Sequence, residues 1–417
     1  MMKTLIPCAT LLLSLVLNAP AGDWPNWRGP TQNGVAEPGD YPTAFGPEQN
    51  LKWKAAMPGR GSSTPIIWGD NVFITSGIGK GTKGQDGALC YDRNGTLRWQ
   101  VELGKQRPGK HKNGSGSNPS VVTDGNLLFT YYKSGTLAAL DFSGKIKWKT
   151  NLQKSYGEDS LWWDLGTSPV LAGGNVIVAV MHEGNSYVVA FKQEDGSVAW
   201  KVDRNFACEK ETHQSYSTPT VLGDKLIIWG ADHITGHKVG DGSTIWTSSG
   251  LNPENKAYWR MIASQSISDG VCVVPYGRAG YLAGIKIGGT GDITTSNRLW
   301  TKNGIGSDVP TPVTVNGKVY HLSDKGQITL LDIQTGNVAG EFQIQKGRGK
   351  FYASPTLANG HLYCLREEGD VYVVEVAPSG MQLVSQATFD DRFAAAPVLV
   401  DGHLFLRGVK TLYCFGK

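Results

Sequence analysis

Charge is scarce in this chain: Asp, Glu, Lys and Arg make up 18% of its 417 residues, and the 40 basic side chains barely exceed the 36 acidic ones. A formal charge of +4, or +3 once Lys3 is set aside with the leader described below, is too small to argue for nucleic acid or an anionic membrane as a partner. Long apolar runs are missing after residue 17, so no later segment is expected to span a bilayer. Sustained helical periodicity is missing too, which leaves almost no helix to expect. The chain has no Gly-x-Ser-x-Gly elbow, no HExxH pair and no CxxCH motif, so hydrolase, zinc-protease and haem-attachment signatures find no support. His213 and His233 are not spaced as metal ligands on one strand. The glycine- and lysine-rich stretch Gly77 to Gly87 lacks the strand and helix of a phosphate loop, and its expected role is a hairpin tip.

Cysteine is sparse as well. Cys8 falls in the leader, leaving Cys90, Cys208, Cys272, Cys364 and Cys414, an odd number that keeps at least one thiol unpaired. Cys90 and Cys414 occupy the same place in two repeats and are expected as compact buried residues, unbridged.

What the chain has in quantity is glycine, 54 residues, placed with regularity. From Asn118 to Trp148 three short apolar runs are separated by turns at Asp124-Gly125-Asn126 and Ser134-Gly135, and a Gly144 turn leads to a fourth run ending in Trp148. Such a unit is a four-stranded meander that cannot bury both faces alone. It recurs about eight times. Trp stands at 53, 99, 148, 200, 246 and 300, at gaps of 46 to 54 residues. A proline opens the units at 65, 119, 169, 219, 312, 355 and 397, with Gln265 at the equivalent place in the remaining one. A period in the forties with four strands per unit predicts an all-β fold, an eight-bladed β-propeller of four-stranded antiparallel blades. The repeated Trp is expected to wedge between blades, with Gly340 and Val384 at its place in the two units that lack it.

Three regions follow. Residues 1–21 have the form of a signal peptide, with Lys3, an apolar run and Ala19-Pro20-Ala21 directing cleavage after Ala21, so the mature chain is expected in the periplasm or outside the cell. Residues 22–49, rich in Pro and Gly, are an extended arm that Trp24 and Trp27 would pin to the body. Residues 50–417 form one propeller. Its last unit stops after three strands, so the N-terminal strand Leu51 to Lys54 is expected to complete that blade and close the ring.

The units, exemplified by Thr136 to Trp148, Tyr187 to Trp200 and Ile328 to Gly336, resemble the pyrroloquinoline-quinone (PQQ)-type propeller repeat, and the opening Asp23 to Val35 is similar to the start of exported members. The resemblance covers the whole mature chain and implies eight blades. It includes both quinone-dependent dehydrogenases and non-catalytic scaffolds such as BamB. The dehydrogenase branch implies a vicinal Cys-Cys disulfide against the quinone, a calcium site of acidic and amide side chains and a catalytic Asp. No two cysteines are adjacent here and no matching cluster is seen, so no cofactor is expected.

In a propeller the connectors into each inner strand share one face with the second-to-third-strand hairpins. That face collects the candidate binding residues Arg60, Trp163, Asp164, His213, Tyr216, Trp259, Arg260, Asp308, Lys350 and Arg392. Connectors into units two to five are longer, building up one side with aromatic and charged groups suited to a protein or polysaccharide partner. A plain salt-bridge ring of Asp164, Asp308, Arg260 and Arg392 is the bland alternative. The expected protein is a monomeric, exported, non-catalytic scaffold. The alternative is an enzyme, either a quinone-dependent oxidoreductase or a carbohydrate-active propeller with Asp164 and Asp308 as its acid pair, roughly 5 to 10 Å apart.

Overall fold

Turn chemistry sets the strand pairs. In blades 5 to 8 the first hairpin turns through Asp269-Gly270, Asn316-Gly317, Asn359-Gly360 and Asp401-Gly402, where both residues have positive φ (52°, 50°, 47° and 48° at the first of each pair). Two successive left-handed residues make the type I′ turn whose twist matches its strands. The computed structural model describes residues 22–79, 83–112 and 114–417. The expected leader, and the tip of the Gly77 to Gly87 hairpin, fall outside them.

Eight antiparallel sheets result. Blades 1 to 7 span residues 66–105, 122–151, 170–203, 220–248, 266–303, 313–343 and 356–388. Blade 8 combines 398–416 with Leu51–Ala56, whose Trp53 pairs with Cys414 and Ala56 with Thr411. Ring closure by the N-terminal strand is therefore observed. Among the described residues the helices are Leu152–Tyr156 and a 3-10 turn at Lys210–His213.

Packing between blades follows one rule. A β-bulge in the third-to-fourth-strand pairing places each repeat Trp opposite a small residue: Trp99 faces Cys90, Trp148 faces Ala139, Trp200 faces Ala190 and Trp53 faces Cys414. The indole then reaches the next blade, where Trp99 Nε1 donates to the Phe142 carbonyl (2.8 Å), Trp148 to Gln193 (2.8 Å) and Trp200 to Val239 (2.9 Å). Its ring lies on a turn glycine. A Cβ at Gly144, φ 86°, would stand 2.8 Å from the Trp99 ring. Trp246 departs from the rule. The blade 5 connection carries Gly291–Asp292 onto it as a parallel strand, and its Nε1 has no hydrogen-bond partner.

Strand register also corrects two expectations. In blade 7 the residue paired with Val373, at the Trp place, is Ser385; Val384 is the bulged, exposed neighbour. In blade 2, Val122 pairs with Phe129 as Ile66 pairs with Phe73, so the repeat-proline place is held by Val121 and Pro119 lies two residues earlier.

The arm crosses the end of the ring opposite the connectors. Trp24 bridges to Ile67 of blade 1, Gln32 bonds both backbone groups of Val221 in blade 4, Asn33 donates to Thr314 in blade 6, and Val35 bridges to Leu357 in blade 7. Arg28, 3% exposed, donates to the Pro355 and Pro312 carbonyls, and burial pushes its guanidinium down to about 9. The arm then climbs the outside of blade 7. There Phe45 packs on Tyr363 and Phe415, and Ser385 donates to the Thr43 carbonyl, so the arm fills the space a Trp occupies elsewhere.

Candidate functional site

The (S/T) residues at the head of the inner strands build the channel wall. Backbone N–H groups donate round the ring: Thr64 to Ser120 Oγ, Ser120 to Ser168, Ser168 to Thr218, Thr218 to Ser264, Ser264 to Thr311 and Thr311 to Ser354, all at 2.9 to 3.0 Å. Ala396 of blade 8 has no hydroxyl to accept from Ser354, so the circuit is interrupted there and resumes where the Ala396 N–H donates to Thr64 Oγ1 at 3.3 Å. Each bond ties one blade to the next through a donor that a strand ladder would leave unused. Trp27 from the arm lines the same narrow space of about 120 Å³, at the end the arm covers.

The opposite end widens into a funnel of about 440 Å³. Six candidates line it: Trp163, Asp164, Tyr216, Arg260, Asp308 and Lys350. The other four stand elsewhere. Arg60 is exposed and donates to the Lys112 carbonyl. His213 ends the 3-10 turn, and Arg392 is paired with Glu368 at 2.7 Å. Trp259 packs against Tyr276 and Tyr281 beside a blade core, so alternation in the connector turns Arg260 toward the funnel and Trp259 away from it.

Most of the charge is committed. Asp164 Oδ1 accepts from Lys133 Nζ (2.5 Å) and the Lys110 N–H (2.7 Å), and Oδ2 accepts from the His111 N–H (2.9 Å). Lys133 is 1% exposed, so the pair is a buried clamp on the connector into blade 2. Arg260 donates to Asp308 (3.0 Å) and Glu211 (3.2 Å) and lies 5.9 Å from the Trp163 ring centre. Glu211 also accepts from Trp163 Nε1 at 2.9 Å, and Tyr216 Oη accepts the Trp163 N–H at 3.2 Å. A polar frame thus fixes one large indole at the opening.

Lys133, Glu211 and Tyr352 also take part in this geometry and are absent from the ten candidates, as is His111, which the sequence places on the same connectors. His111 stands edge-on between Trp163 (6.0 Å) and Tyr352 (6.2 Å), making an aromatic wall. Lys133 follows a second strand as His182 and Arg366 do, the one signal that could have found it. Glu211 lies in an aperiodic connector and gave none. Of the salt-bridge ring named as the bland alternative, Arg260 does pair with Asp308, but Asp164 pairs with Lys133 and Arg392 with Glu368 instead.

The residues do not suit a quinone held by vicinal cysteines over calcium. Cys90, Cys272, Cys364 and Cys414 are buried in four different blades, and burial pushes the Cys90 and Cys414 thiols up to about 12. Among the described residues no three His, Cys, Asp or Glu side chains converge as metal ligands would, and no helix is long and apolar enough to cross a membrane.

Similarity to known proteins supports the same architecture. BamB from Moraxella catarrhalis superposes with a TM-score of 0.63 at 16% identity, over 88% of this chain and 97% of its own. The quinohemoprotein alcohol dehydrogenase from Comamonas testosteroni gives 0.69 at 13%, over 96% and 82%. A europium-containing methanol dehydrogenase gives 0.71 at 10%, over 95% and 98%. At these identities the likeness concerns the fold. No curated protein sequence matches the chain. The family model of the outer membrane protein assembly factor BamB matches residues 85–341, more than half of the chain, and the protein belongs to that family of PQQ-like β-propellers.

Proposed function

We propose that the protein is a non-catalytic scaffold of the cell envelope, exported by cleavage after Ala21, which holds a protein partner at the funnel mouth and works without a quinone. The observation that carries this reading is an aromatic rim left partly exposed among the described residues. Trp162, Trp163 and Tyr258 are 39%, 39% and 50% exposed, and Trp162 and Tyr258 face each other at 6.4 Å. Large exposed aromatics beside a concave surface mark places where a partner is anchored. Arg278 and Lys350 make no ion pair among the described residues and line the same funnel, which favours an acidic segment. Membership of a family described as an outer membrane protein assembly factor supports a protein partner ahead of a polysaccharide.

The enzyme alternatives have less to stand on. A glycosidase acid must carry a proton toward the leaving oxygen, and Asp164 would have to abandon a buried ammonium and two amide donors to do so.

Envelope extract incubated with the full chain, carrying a photo-crosslinker in place of Lys210 beside Tyr258, should yield a discrete adduct. Trp162→Ala with Tyr258→Ala should abolish it while leaving Tm within about 1 °C, as expected for exposed positions. An adduct that forms undiminished in the double variant places the partner on another surface and sinks the proposal.

A further inference from the structure

Beside the funnel, between blades 5 and 6, lies a second cavity of about 550 Å³. The least exposed titratable group lining it is His321. At the same cross-strand place the other blades carry Ile74, Thr130, Val178, Ile228, Val274, Cys364 and Leu406, side chains that are apolar or small. His321 is 1% exposed; neither Nδ1 nor Nε2 makes a hydrogen bond of good geometry, and the one polar backbone group acting on the ring is that of Gly306. A repeat that fills this place with Ile, Val or Leu has no packing need for an imidazole, and burying one without well-formed hydrogen bonds is unfavourable. Across the sheet His321 pairs with Thr329, and Thr329 pairs with Glu341, so a polar row runs from the interior outward along one face of blade 6. Asp324, 6% exposed, closes the cavity. Its Oδ2 accepts the Asp308 N–H and its Oδ1 has no partner.

We propose that this cavity is a binding site for a small neutral polyhydroxylated ligand, of the size of a mono- or disaccharide. The donor set carries the assignment. Burial pushes His321 down to about 4, leaving a neutral ring with one donor and one acceptor at ordinary pH. Ser323 and Thr329 add hydroxyls, Gln327 an amide, and Asp324 and Glu341 carboxyls. Each hydroxyl of a sugar both donates and accepts, and so can pair with every one of these groups. No Phe, Tyr or Trp ring lines the cavity, which disfavours a nucleobase, and the charged groups on its wall, Arg278, Asp308, Asp324, Lys325, Glu341 and Lys350, disfavour a lipid. Arg278, Asp308 and Lys350 form a wall shared with the funnel, whereas His321, Thr329 and Glu341 do not touch it. The site is therefore separable from the mouth.

The test is calorimetric titration of the full chain with glucose, galactose, mannose, N-acetylglucosamine, maltose and lactose. At least one should bind with a Kd below about 1 mM. His321→Leu, the residue blade 8 uses, should weaken it at least tenfold with Tm unchanged or raised, and partner crosslinking at the mouth should persist. Thr329→Val gives a second reading should His321→Leu fail to fold. Absence of binding by all six sugars would show that ordered water alone satisfies the imidazole, and binding that survives both substitutions would place the sugar elsewhere; either result overturns the proposal.

Discussion

Single side chains here are constrained by what stands opposite them. Where the fourth strand carries Trp, the third carries Cys, Ala or Gly; where it carries Gly340 or Ser385, the third carries Leu330 or Val373. Volume is conserved across the pair, as a close-packed interior requires. Asp86 shows the same dependence in electrostatics. It is buried, accepts from Ser134 Oγ at 2.5 Å through Oδ2, and leaves Oδ1 without a partner, and burial pushes its carboxyl up to about 7. The folded chain therefore keeps this proton longer than the unfolded chain, so the stabilisation is full below about pH 4 and is lost as pH rises through about 7. His237 and His321, pushed down to about 4 by burial, have the opposite sign: their contribution is full above about 6.5 and lost as pH falls to 4. Asp86→Asn removes only the first effect. Its Tm should match the parent near pH 4 and exceed it by several degrees at pH 8; a difference that does not change with pH would mean that Asp86 is ionised throughout.

At the scale of elements, the arm acts as a replacement part. Blade 7 lacks its indole, and the arm supplies Tyr41 and Phe45, each 4% exposed, to the gap beside blade 8. Phe45→Ala should cost about 3 kcal/mol in urea unfolding, the usual range for deleting a buried aromatic ring. Val384→Ala, at the place the sequence nominated for the same wedge, should stay within about 0.5 kcal/mol because that side chain is exposed. Equal effects would mean that the arm does not pack as described. The longer blade 5 connection is a comparable substitution: where the turn glycine would receive Trp246, a short parallel strand covers it.

The whole molecule depends on one seam. Leu51–Ala56 pairs with Thr411–Gly416, Trp53 donates to the Arg93 carbonyl of blade 1, and Arg407, 1% exposed, donates to the Ser63 and Thr75 carbonyls across the same junction. Blades elsewhere are continuous in the chain, whereas this one is held by contacts alone. Trp53→Ala and Trp148→Ala should each cost about 3 kcal/mol. Only Trp53→Ala should also aggregate on mild heating, because release of the first strand bares the edge of the last blade. Light scattering during a thermal ramp distinguishes them, and similar traces for both would argue that the seam is no weaker than any other interface.

Strand number, turn positions, blade count and the closing strand were all written in the sequence, since period-2 runs between Gly, Asn and Asp turns act locally and repeat eight times. Tertiary structure alone decided the rest. A one-residue bulge reverses which side chain faces the core, which is why Ser385 and not Val384 takes the Trp place, and only the cross-strand register shows that Val121 stands where Pro119 was expected. The mouth is made of aperiodic connectors, so no pattern could turn Trp259 against the blade core and Arg260 toward the funnel, or bring Glu211 and Lys133 to charges far along the chain. Those choices depend on which neighbour offers a cavity or a countercharge, and neighbours exist only once the ring has closed.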